Sequence, residues 1–405
     1  MPASRLCLAL CACLVALPSC IDAKAPMEHV YAAYDGQAWP NRRVPVPWPA
    51  GPLALTSDNG SDTLTALDPA TLTVLAQVPV GRDPVDVDGP HHLAIDRVQS
   101  AVYIALSYPA PMTAGAHAGH GVSTQPSGWV QKLALADLSL LGEVRVDANP
   151  GDIVLSQDGK RLVVSHFDLA AASAPDQALE QRRGVLTVID PNTLELLGSP
   201  SPARVRTCLL PHGISLAPPD GATAYAACYG EDAVAVVDLA HPGSAVQRIA
   251  VGPTPGPPGA PAYGPYSAVA SPDAARLAVG CTESKDLRFF ETKSLTMAAT
   301  VLHTQGAPMF AAWSADGARL WVPYQKPNGI VLADVATGKI LKTRAFSVQE
   351  CQLPHEAVLQ GGRVLLVCEG SHVGPGSVVA LDPETLETLG KVDVGVYPDR
   401  LAVAP

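Results

Sequence analysis

A proline followed by a short apolar run and then a turn recurs seven times along this chain of 405 residues. The anchors are Pro90, Pro150, Pro211, Pro265, Pro308, Pro354 and Pro398. Successive anchors are 60, 61, 54, 43, 46 and 44 residues apart, and about 40–45 residues is the length of one four-stranded propeller blade. Because one blade cannot bury both of its faces alone, the copies must close into a ring. Seven anchors therefore predict an all-β fold, a seven-bladed β-propeller.

The strands inside each repeat follow one order. Strand a, the innermost, starts at the proline, strand b follows a turn, and strand c leads through a second turn to the outer strand d. The chain stops just after a strand a at Asp399–Val403, yet the first repeat-like segment at Leu53–Thr56 resembles a strand b. We therefore expect the C-terminal strand to complete the N-terminal blade, which closes a ring formed by residues 52–405.

The N-terminal segment has the pattern of an export signal. Arg5 precedes an apolar stretch that runs from Leu6 to Leu17, as in a signal peptide. The letters LPSC ending at Cys20 resemble a bacterial lipobox, in which the cysteine is lipidated and becomes the first residue. That resemblance, with Ile21 next, implies a bacterial cell-envelope lipoprotein anchored in the outer membrane and facing the periplasm or the surface. An ordinary cleavable signal with an incidental Cys20 is the alternative.

Composition limits the partners of this chain. After the signal peptide at 1–20, residues 21–51 are dense in proline and form a predicted semi-rigid spacer between the lipid and the ring. No run of 18 apolar residues follows, so we expect membrane attachment through the lipid anchor only. The formal net charge of −11 argues against nucleic acid as a partner, because phosphate backbones require a basic surface.

Two segments resemble repeats of known propellers. One is Ser61–Pro84, with the letters SDTLTALDPATLTVLAQVPVGRDP, which resembles the YVTN repeat of bacterial surface and periplasmic propellers. The other is Leu210–Leu239, with the letters LPHGISLAPPDGATAYAACYGEDAVAVVDL, which is similar to repeats of the seven-bladed lactonase family. That family also places Pro-His before strand a. The resemblance covers residues 52–405 and implies the fold; a complete lactonase set of active-site residues is not matched.

Three histidines occupy the slot directly after the anchor proline: His91, His212 and His355 in repeats one, three and six. Around seven blades their separations are two, three and two, which is close to trigonal about the channel. Imidazole suits zinc, copper and iron, so this trio is a candidate metal site, with copper or zinc as the candidate cofactor. Alternatively, Pro-His is only a favoured strand entry, with each ring hydrogen-bonded to neighbouring loops. Four further residues are candidates at the channel entrance: His92, Tyr266, Met309 and Asp399.

The longest loops are predicted on one face of the ring. In this topology the loops from strand d to a and from strand b to c share a face, and the segments 107–128, 166–184 and 252–264 are the longest of them. Long loops on a rigid scaffold are the usual place for binding. We therefore expect a protein or small-molecule ligand on this face, where His117 and His120 could cover the channel.

The cysteines predict two disulfides. Cys208 and Cys351 each precede a strand a, and Cys228 and Cys368 end strand b of the same two repeats. Opposed residues of an antiparallel pair lie within disulfide range, so an oxidising compartment favours Cys208–Cys228 and Cys351–Cys368. Thiolate ligation of a metal beside the histidines is the alternative. Cys281 is left without a partner.

Two functional hypotheses remain. The first is a lipid-anchored envelope propeller that acts as a ligand- or protein-binding scaffold and not as an enzyme. The second is a metal-dependent envelope enzyme that uses the histidine-lined entrance for redox or lactonase-like chemistry, with copper, zinc or haem. The sequence contains no CxxCH, HExxH, GxSxG or P-loop motif, which excludes the corresponding haem attachment, zinc protease, hydrolase and nucleotide sites.

Overall fold

The described residues form seven antiparallel sheets, each with its strands in the order a, b, c, d. Six sheets have four strands, and one has five because its strand a is split in two. The computed structural model describes residues 51–82, 87–109, 123–197, 204–241 and 243–404, which belong to one compact unit. The predicted seven-bladed propeller is confirmed. We number the blades by the anchor prolines, so blade 1 starts at Pro90 and blade 7 at Pro398.

The first strands of the chain are β1 (Leu53–Asp58), β2 (Thr63–Asp68) and β3 (Thr73–Pro79). Blade 1 contains β4 (Pro90–Asp96), β5 (Ala101–Leu106), β6 (Ser127–Ala134) and β7 (Leu140–Asp147). Blade 2 contains β8 (Pro150–Leu155), β9 (Leu162–His166), β10 (Val185–Ile189) and β11 (Arg204–Arg206). Blade 3 contains β12 (Pro211–Leu216), β13 (Thr223–Cys228), β14 (Ala233–Asp238) and β15 (Gln247–Ala250).

Blade 4 contains β16 (Pro265–Ala270), β17 (Arg276–Cys281), β18 (Asp286–Glu291) and β19 (Thr296–His303). Blade 5 contains β20 (Ala307–Pro308), β21 (Ala312–Trp313), β22 (Arg319–Gln325), β23 (Gly329–Asp334) and β24 (Lys339–Ala345). Blade 6 contains β25 (Pro354–Gln360), β26 (Arg363–Cys368), β27 (Pro375–Leu381) and β28 (Thr388–Val396). The last strand is β29 (Pro398–Ala404).

The two ends of the chain share blade 7. Strand β29 pairs antiparallel with β1, with Leu53 opposite Ala404 and Thr56 opposite Leu401. The sheet order is β29-β1-β2-β3, so the C-terminal strand supplies the innermost strand of the N-terminal blade. The predicted closure of the ring is therefore confirmed. The closing bonds are main-chain hydrogen bonds between β29 and β1, so the inner edge of β1 is paired.

The core lies between neighbouring blades. Strands b and c are apolar on both faces and almost wholly buried, as β5 and β26 illustrate, because each blade is covered by a blade on either side. The outer strands are far more exposed; every residue of β24 except Arg344 is exposed. One apolar cluster, for example, joins Val163 of blade 2 to Ile214 and Val237 of blade 3. The blades are thus layers of one ring and not independent domains.

A β-bulge follows the anchor proline in six of the seven blades. In blade 1, Pro90 lies opposite Leu106 and Leu93 opposite Ile104, so strand a carries one residue more than its partner. The same shift follows Pro150, Pro211, Pro265, Pro354 and Pro398. A bulge of this kind re-aims the side chains around it. It is the local feature that positions the residues at the axis.

Blade 5 departs from the predicted continuous strand a. Its strand is split into β20 and β21, and the residues between them turn toward blade 6. Phe310 N–H donates to the carbonyl of His355 at 3.0 Å, and Ala357 N–H donates to the carbonyl of Phe310 at 3.0 Å. These bonds satisfy the main chain of Phe310 across the blade boundary, which explains why the strand can break there.

Two of the long loops contain defined local structure. The loop after β9 contains two helical turns, α1 (Leu169–Ala172) and α2 (Leu179–Arg182). In the loop before β16, the Asp232 carboxylate accepts four main-chain N–H groups at 2.7–2.9 Å, from Gly256, Ala262, Tyr263 and Gly264. Within the described residues, no helix has the length and apolar character needed to cross a bilayer.

Candidate functional site

The side chains that follow the anchor prolines meet at the axis of the ring. The first slot after each proline holds His91, Gly151, His212, Tyr266, Met309, His355 and Asp399. The second slot holds His92, Asp152, Gly213, Ser267, Phe310, Glu356 and Arg400. Most of these side chains are buried, and the predicted candidates among them are all exposed by 2 % or less. The predicted entrance is therefore filled by packed side chains.

Three histidines form the centre of this packing. The rings of His91 and His92 stack with centroids 4.4 Å apart. The His212 ring lies edge-on to both, at 5.7 Å from His91 and 5.4 Å from His92. One ring nitrogen from each of the three lies within 4.8 Å of the other two. Such convergence of three imidazole nitrogens is the geometry from which a transition-metal site can be made.

The hydrogen bonds of these rings define which nitrogen carries the proton. Nδ1 of His91 lies 2.8 Å from the carbonyl oxygen of Gly151, and Nδ1 of His212 lies 3.3 Å from that of Tyr266. Nδ1 of His92 lies 2.8 Å from a carboxylate oxygen of Asp152. Because these oxygens can only accept, each Nδ1 carries the proton and each neutral ring keeps its lone pair on Nε2. Histidine ligands of metals are usually held in this way.

Burial keeps the three rings neutral. It lowers the pKa of His91 to about 3. The pKa values of His92 and His212 lie well below the usual value, first because of burial and then because of the neighbouring histidines. At neutral pH all three imidazoles are therefore uncharged, which is the protonation state that ligates a metal.

Neighbouring blades fix the backbone of the histidine slots. The Ser57 hydroxyl donates to the carbonyl of His91, and the Ser165 hydroxyl donates to the carbonyl of His212 at 2.6 Å. Gly151 gives the His212 ring its space, since a Cβ at position 151 would lie 3.0 Å from Cδ2 of that ring. The site is thus assembled from blades 1 and 2 and from blade 3, with support from blade 7.

His355 has different neighbours from those predicted. The third member of the cluster with His91 and His212 is His92 and not the predicted His355. The ring centroid of His355 lies 6.0 Å from that of His92. The ligand atoms of His355, Glu369 and Asp399 instead converge within 4.8 Å of one another. The bulge in blade 1 explains the exchange, because it directs two successive histidines to the axis where regular alternation would direct only one.

The second cluster adjoins the first. His355 Nδ1 lies 2.5 Å from the carbonyl oxygen of Asp399. The Glu369 carboxylate accepts from the Gln325 amide at 2.6 Å and lies 2.6 Å from Nε2 of His372. Asp399 Oδ2 lies 3.7 Å from Nε2 of His91, which places the two clusters side by side. Burial and then the Glu369 charge raise the pKa of Asp399 well above its usual value.

Aromatic and apolar side chains surround the clusters. The Tyr266 ring stacks on His212 with centroids 4.1 Å apart, and the Phe167 ring lies edge-on to His212 at 5.6 Å. Phe310 contacts both His92 and His355, at 5.1 and 5.5 Å between centroids. Met309 belongs to the same apolar cluster as Tyr266 and Phe310. These residues exclude water from the axis and hold the imidazoles in place.

A layer of charged residues lies in the second slot, and sequence reasoning missed it. Glu356 pairs with Arg400 at 3.1 Å, and the Arg400 guanidinium lies 5.2 Å from the centre of the Phe310 ring. Asp152, besides holding His92, accepts the Ile214 N–H at 2.9 Å. The signal that could have found Asp152, Glu356 and Arg400 is their shared position, two residues after an anchor proline.

Both predicted disulfides are present. Cys208–Cys228 and Cys351–Cys368 join Cα atoms 5.8 and 5.3 Å apart. Cys281 is a free, buried thiol, as expected. Each bridge ties the segment before a Pro-His slot to the end of the paired strand b, so it fixes the approach to His212 or to His355. Thiolate ligation by these four cysteines, the alternative, is excluded because their sulfurs are bonded to each other.

Several sequence-based predictions fall outside the described residues. They are the signal peptide, the lipidated Cys20, the spacer up to position 50, and the loop histidines His117 and His120.

Several solved structures share the propeller fold of this chain. The periplasmic gluconolactonase of Pseudomonas aeruginosa superposes with a TM-score of 0.61 at 19 % identity, covering 88 % of this chain and 99 % of the other. A proposed 6-phosphogluconolactonase of Bacteroides uniformis gives 0.60 at 14 %, covering 87 % and 99 %. A dihydro-heme d1 dehydrogenase gives 0.55 at 16 %, covering 86 % and 74 %. No family model and no curated protein matches the sequence. At these identities the likeness establishes the fold alone.

Proposed function

We propose that this chain is a metalloprotein of the bacterial cell envelope that binds one copper or zinc ion through His91, His92 and His212. The observation that carries the proposal is that one ring nitrogen from each of three neutral imidazoles lies within 4.8 Å of the other two, while Nδ1 of each ring is directed at an acceptor. An all-imidazole set suits zinc and copper better than magnesium or calcium, which prefer oxygen. Three protein ligands leave a fourth position, as in catalytic sites.

Burial supports a role beyond simple packing. Among the described residues, Nε2 of His92 is a buried polar atom with no hydrogen-bond partner, and a buried polar atom without a partner costs about 1–3 kcal/mol. A bound ion would satisfy that nitrogen. The Asp152 carboxylate, at 2.8 Å from Nδ1 of the same ring, would raise its basicity and hold its orientation.

A haem does not fit the same residues. The rings around the axis pack with centroids 4.1–6.4 Å apart, so no planar gap separates them, and a macrocycle would have to displace Tyr266 or Phe310. The proposed cofactor is therefore a metal ion and not a haem.

Three observations support the proposed envelope location. Two disulfides suit an oxidising compartment such as the periplasm, and the N-terminal segment has the export pattern and lipobox described above. The gluconolactonase with a similar fold is itself named as periplasmic. We propose an outer-membrane lipoprotein; labelling with a radioactive fatty acid, lost in Cys20→Ser, tests the anchor.

The metal proposal is tested with the full mature chain carrying no polyhistidine tag. One equivalent of Cu(II) is added to chelator-treated protein, and the bound ion is examined by electron paramagnetic resonance. We expect one ion per chain with superhyperfine coupling to imidazole nitrogens. Failure of the wild-type protein to retain copper against a weak competing chelator would overturn the proposal.

Variants assign the ligands. His92→Ala and His212→Ala should each lower copper affinity by at least the factor of about 10–100 that loss of an outer-shell partner costs. The matched control is His241→Ala, because that histidine is exposed and pairs only with Asp238. Circular dichroism of each variant checks that the propeller has folded.

Lactone hydrolysis is the second candidate function. The His92–Asp152 pair has the arrangement of a general base oriented by a carboxylate, and two proteins of similar fold are named as lactonases. Hydrolysis of δ-gluconolactone by the wild-type protein, abolished in His92→Ala, supports this candidate. Loss of that activity with a chelator would join it to the metal site, and absence of any activity would remove it.

A binding role for the loop face remains a separate proposal. The Asp232 carboxylate holds the loop 256–264 in one conformation through its four hydrogen bonds, which gives this face a rigid element that a protein or small molecule could recognise. Such a partner is compatible with a metal ion inside the ring. Crosslinking from a photoreactive group at Thr254 in intact cells, with Thr337 on the turn between β23 and β24 as control, tests it.

A further inference from the structure

A second group of potential ligands lies beside the three histidines and uses none of them. It consists of His355, Glu369 and Asp399, whose ligand atoms lie within 4.8 Å of one another and which are all buried. His355 and Glu369 belong to blade 6 and Asp399 belongs to blade 7, so the group lies on the side of the axis away from blade 3. The chemistry differs from that of the first group, with one nitrogen and two carboxylates in place of three nitrogens.

The charges in this group lack an evident counter-ion. Within the described part of the chain, no lysine or arginine pairs with Glu369 or Asp399. The groups nearest to forming such pairs are the histidines His372 and His91, and burial keeps His91 uncharged by lowering its pKa to about 3. Arg400, the nearest guanidinium in sequence, is engaged by Glu356 at 3.1 Å. Buried charges are normally paired or bound to metal, because desolvation is costly. Two buried carboxylates without a basic partner are the charge complement of a divalent cation.

An unsatisfied oxygen points to the same conclusion independently. Asp399 is 1 % exposed, and among the described residues its Oδ2 atom has no hydrogen-bond partner. Nε2 of His91 lies 3.7 Å from this oxygen, which is beyond hydrogen-bond distance. By contrast, both oxygens of Glu369 are held, one by Gln325 and one by His372, so its carboxylate is oriented.

His355 is oriented in the manner of a ligand as well. Its Nδ1 lies 2.5 Å from the main-chain carbonyl oxygen of Asp399, which can only accept. Nδ1 therefore carries the proton, and Nε2 of the neutral ring keeps its lone pair for a metal. The carbonyl and the free Oδ2 belong to the same residue, so the main chain of Asp399 orients one ligand while its side chain supplies another.

We propose that His355, Glu369 and Asp399 form a second metal site, which binds a divalent first-row ion of the Mn(II) or Fe(II) type next to the copper or zinc site. Carboxylates favour ions that prefer oxygen ligands, such as Mn(II), and a single imidazole ligand is compatible with Mn(II) or Fe(II). The two sites adjoin where Asp399 Oδ2 and His91 Nε2 approach to 3.7 Å. The axis would therefore hold two ions, one that prefers nitrogen ligands and one that prefers oxygen ligands. The second site stands or falls separately from the first.

Manganese is the probe, because free Mn(II) gives a strong electron paramagnetic resonance signal that weakens on binding. We expect the untagged full chain to bind one Mn(II), with pulsed spectra that detect one coupled imidazole nitrogen. Glu369→Gln and Asp399→Asn, which keep the shape and remove the charge, should each lower Mn(II) affinity at least tenfold. The matched control is Asp393→Asn, an exposed carboxylate on β28.

The outcomes separate the two sites. Mn(II) binding that survives His92→Ala but not Asp399→Asn supports the second site, whatever the copper experiment gives. Copper bound with nitrogen coupling in a wild-type protein that binds no Mn(II) below about millimolar concentrations overturns the second site alone. Bound Mn(II) without nitrogen coupling, or equal weakening in Asp393→Asn, also overturns it. The wild-type spectra alone show whether Mn(II) binds with nitrogen coupling, so the proposal can be tested even if a variant fails to fold.

Discussion

Leu401 tests whether the C-terminal strand closes the ring. This side chain is 2 % exposed and packs in the cluster between blades 6 and 7, with Leu365 and Val367 on one side and Ala54 on the other. Truncating a buried leucine to alanine costs about 2–5 kcal/mol, and we take about 3 kcal/mol for Leu401→Ala. With an unfolding entropy of about 2.1 cal/mol/K per residue, a ring of roughly 350 residues should lose about 4 °C in Tm.

The assay is differential scanning calorimetry in the presence of a chelator, so that metal binding does not contribute. The control is Leu389→Ala on β28, where the side chain is 53 % exposed and the expected change is within about 0.5 kcal/mol. A single cooperative transition shifted only in Leu401→Ala supports closure by β29. Equal melting of the two variants would refute it, because Leu401 would then contribute nothing to the packing between the chain ends.

Three further predictions concern the disulfides, the pH dependence and the loop. Non-reducing peptide mapping should recover Cys208–Cys228 and Cys351–Cys368 with Cys281 free, and removing either bridge should cost about 3 kcal/mol for loops of this length; a linked Cys281 would contradict the assignment. Burial raises the pKa of Asp62 from 3.8 to about 7, so the stability contributed by its protonated form is present at acid pH and lost as pH rises through 7. The urea midpoint should decrease as the pH rises from about 4 to 7, and it should decrease less in Asp62→Asn; equal slopes in the two proteins would contradict the raised pKa. Asp232→Ala should speed subtilisin cleavage within 256–264, as followed by mass spectrometry, and unchanged cleavage would mean that the four N–H bonds do not hold the loop.

The fold could be predicted because its repeat is local and regular. The spacing of the anchor prolines sets the blade count, and a chain that ends in strand a and begins in strand b has one way to satisfy both edges. The disulfides followed from the same logic, since the register of an antiparallel pair places Cys208 near Cys228 and Cys351 near Cys368. Strand a of blade 5 was the exception, because the pairing of Phe310 with blade 6 depends on a neighbour that sequence pattern does not reveal.

The site was predicted only in part. The residues in the slot after the proline lie together in the structure, but the grouping of the candidate ligands depends on the bulge, which gives His92 the same direction as His91. Glu369 lies one residue beyond β26, away from the slots after the anchor prolines, and the packing of blade 6 against blade 7 brings it to Asp399. Such groupings are set by contacts between blades, and the seven-fold repeat carries no information about them.

X-ray absorption at the metal edge of the untagged protein, loaded with one equivalent of zinc or copper, tests the central claim most directly. We predict a first shell at about 2.0–2.1 Å with the multiple scattering of three imidazoles, reduced to two in His212→Ala and unchanged in His241→Ala. A wild-type spectrum without imidazole scattering, or one that His212→Ala leaves unaltered, would contradict a metal site formed by His91, His92 and His212.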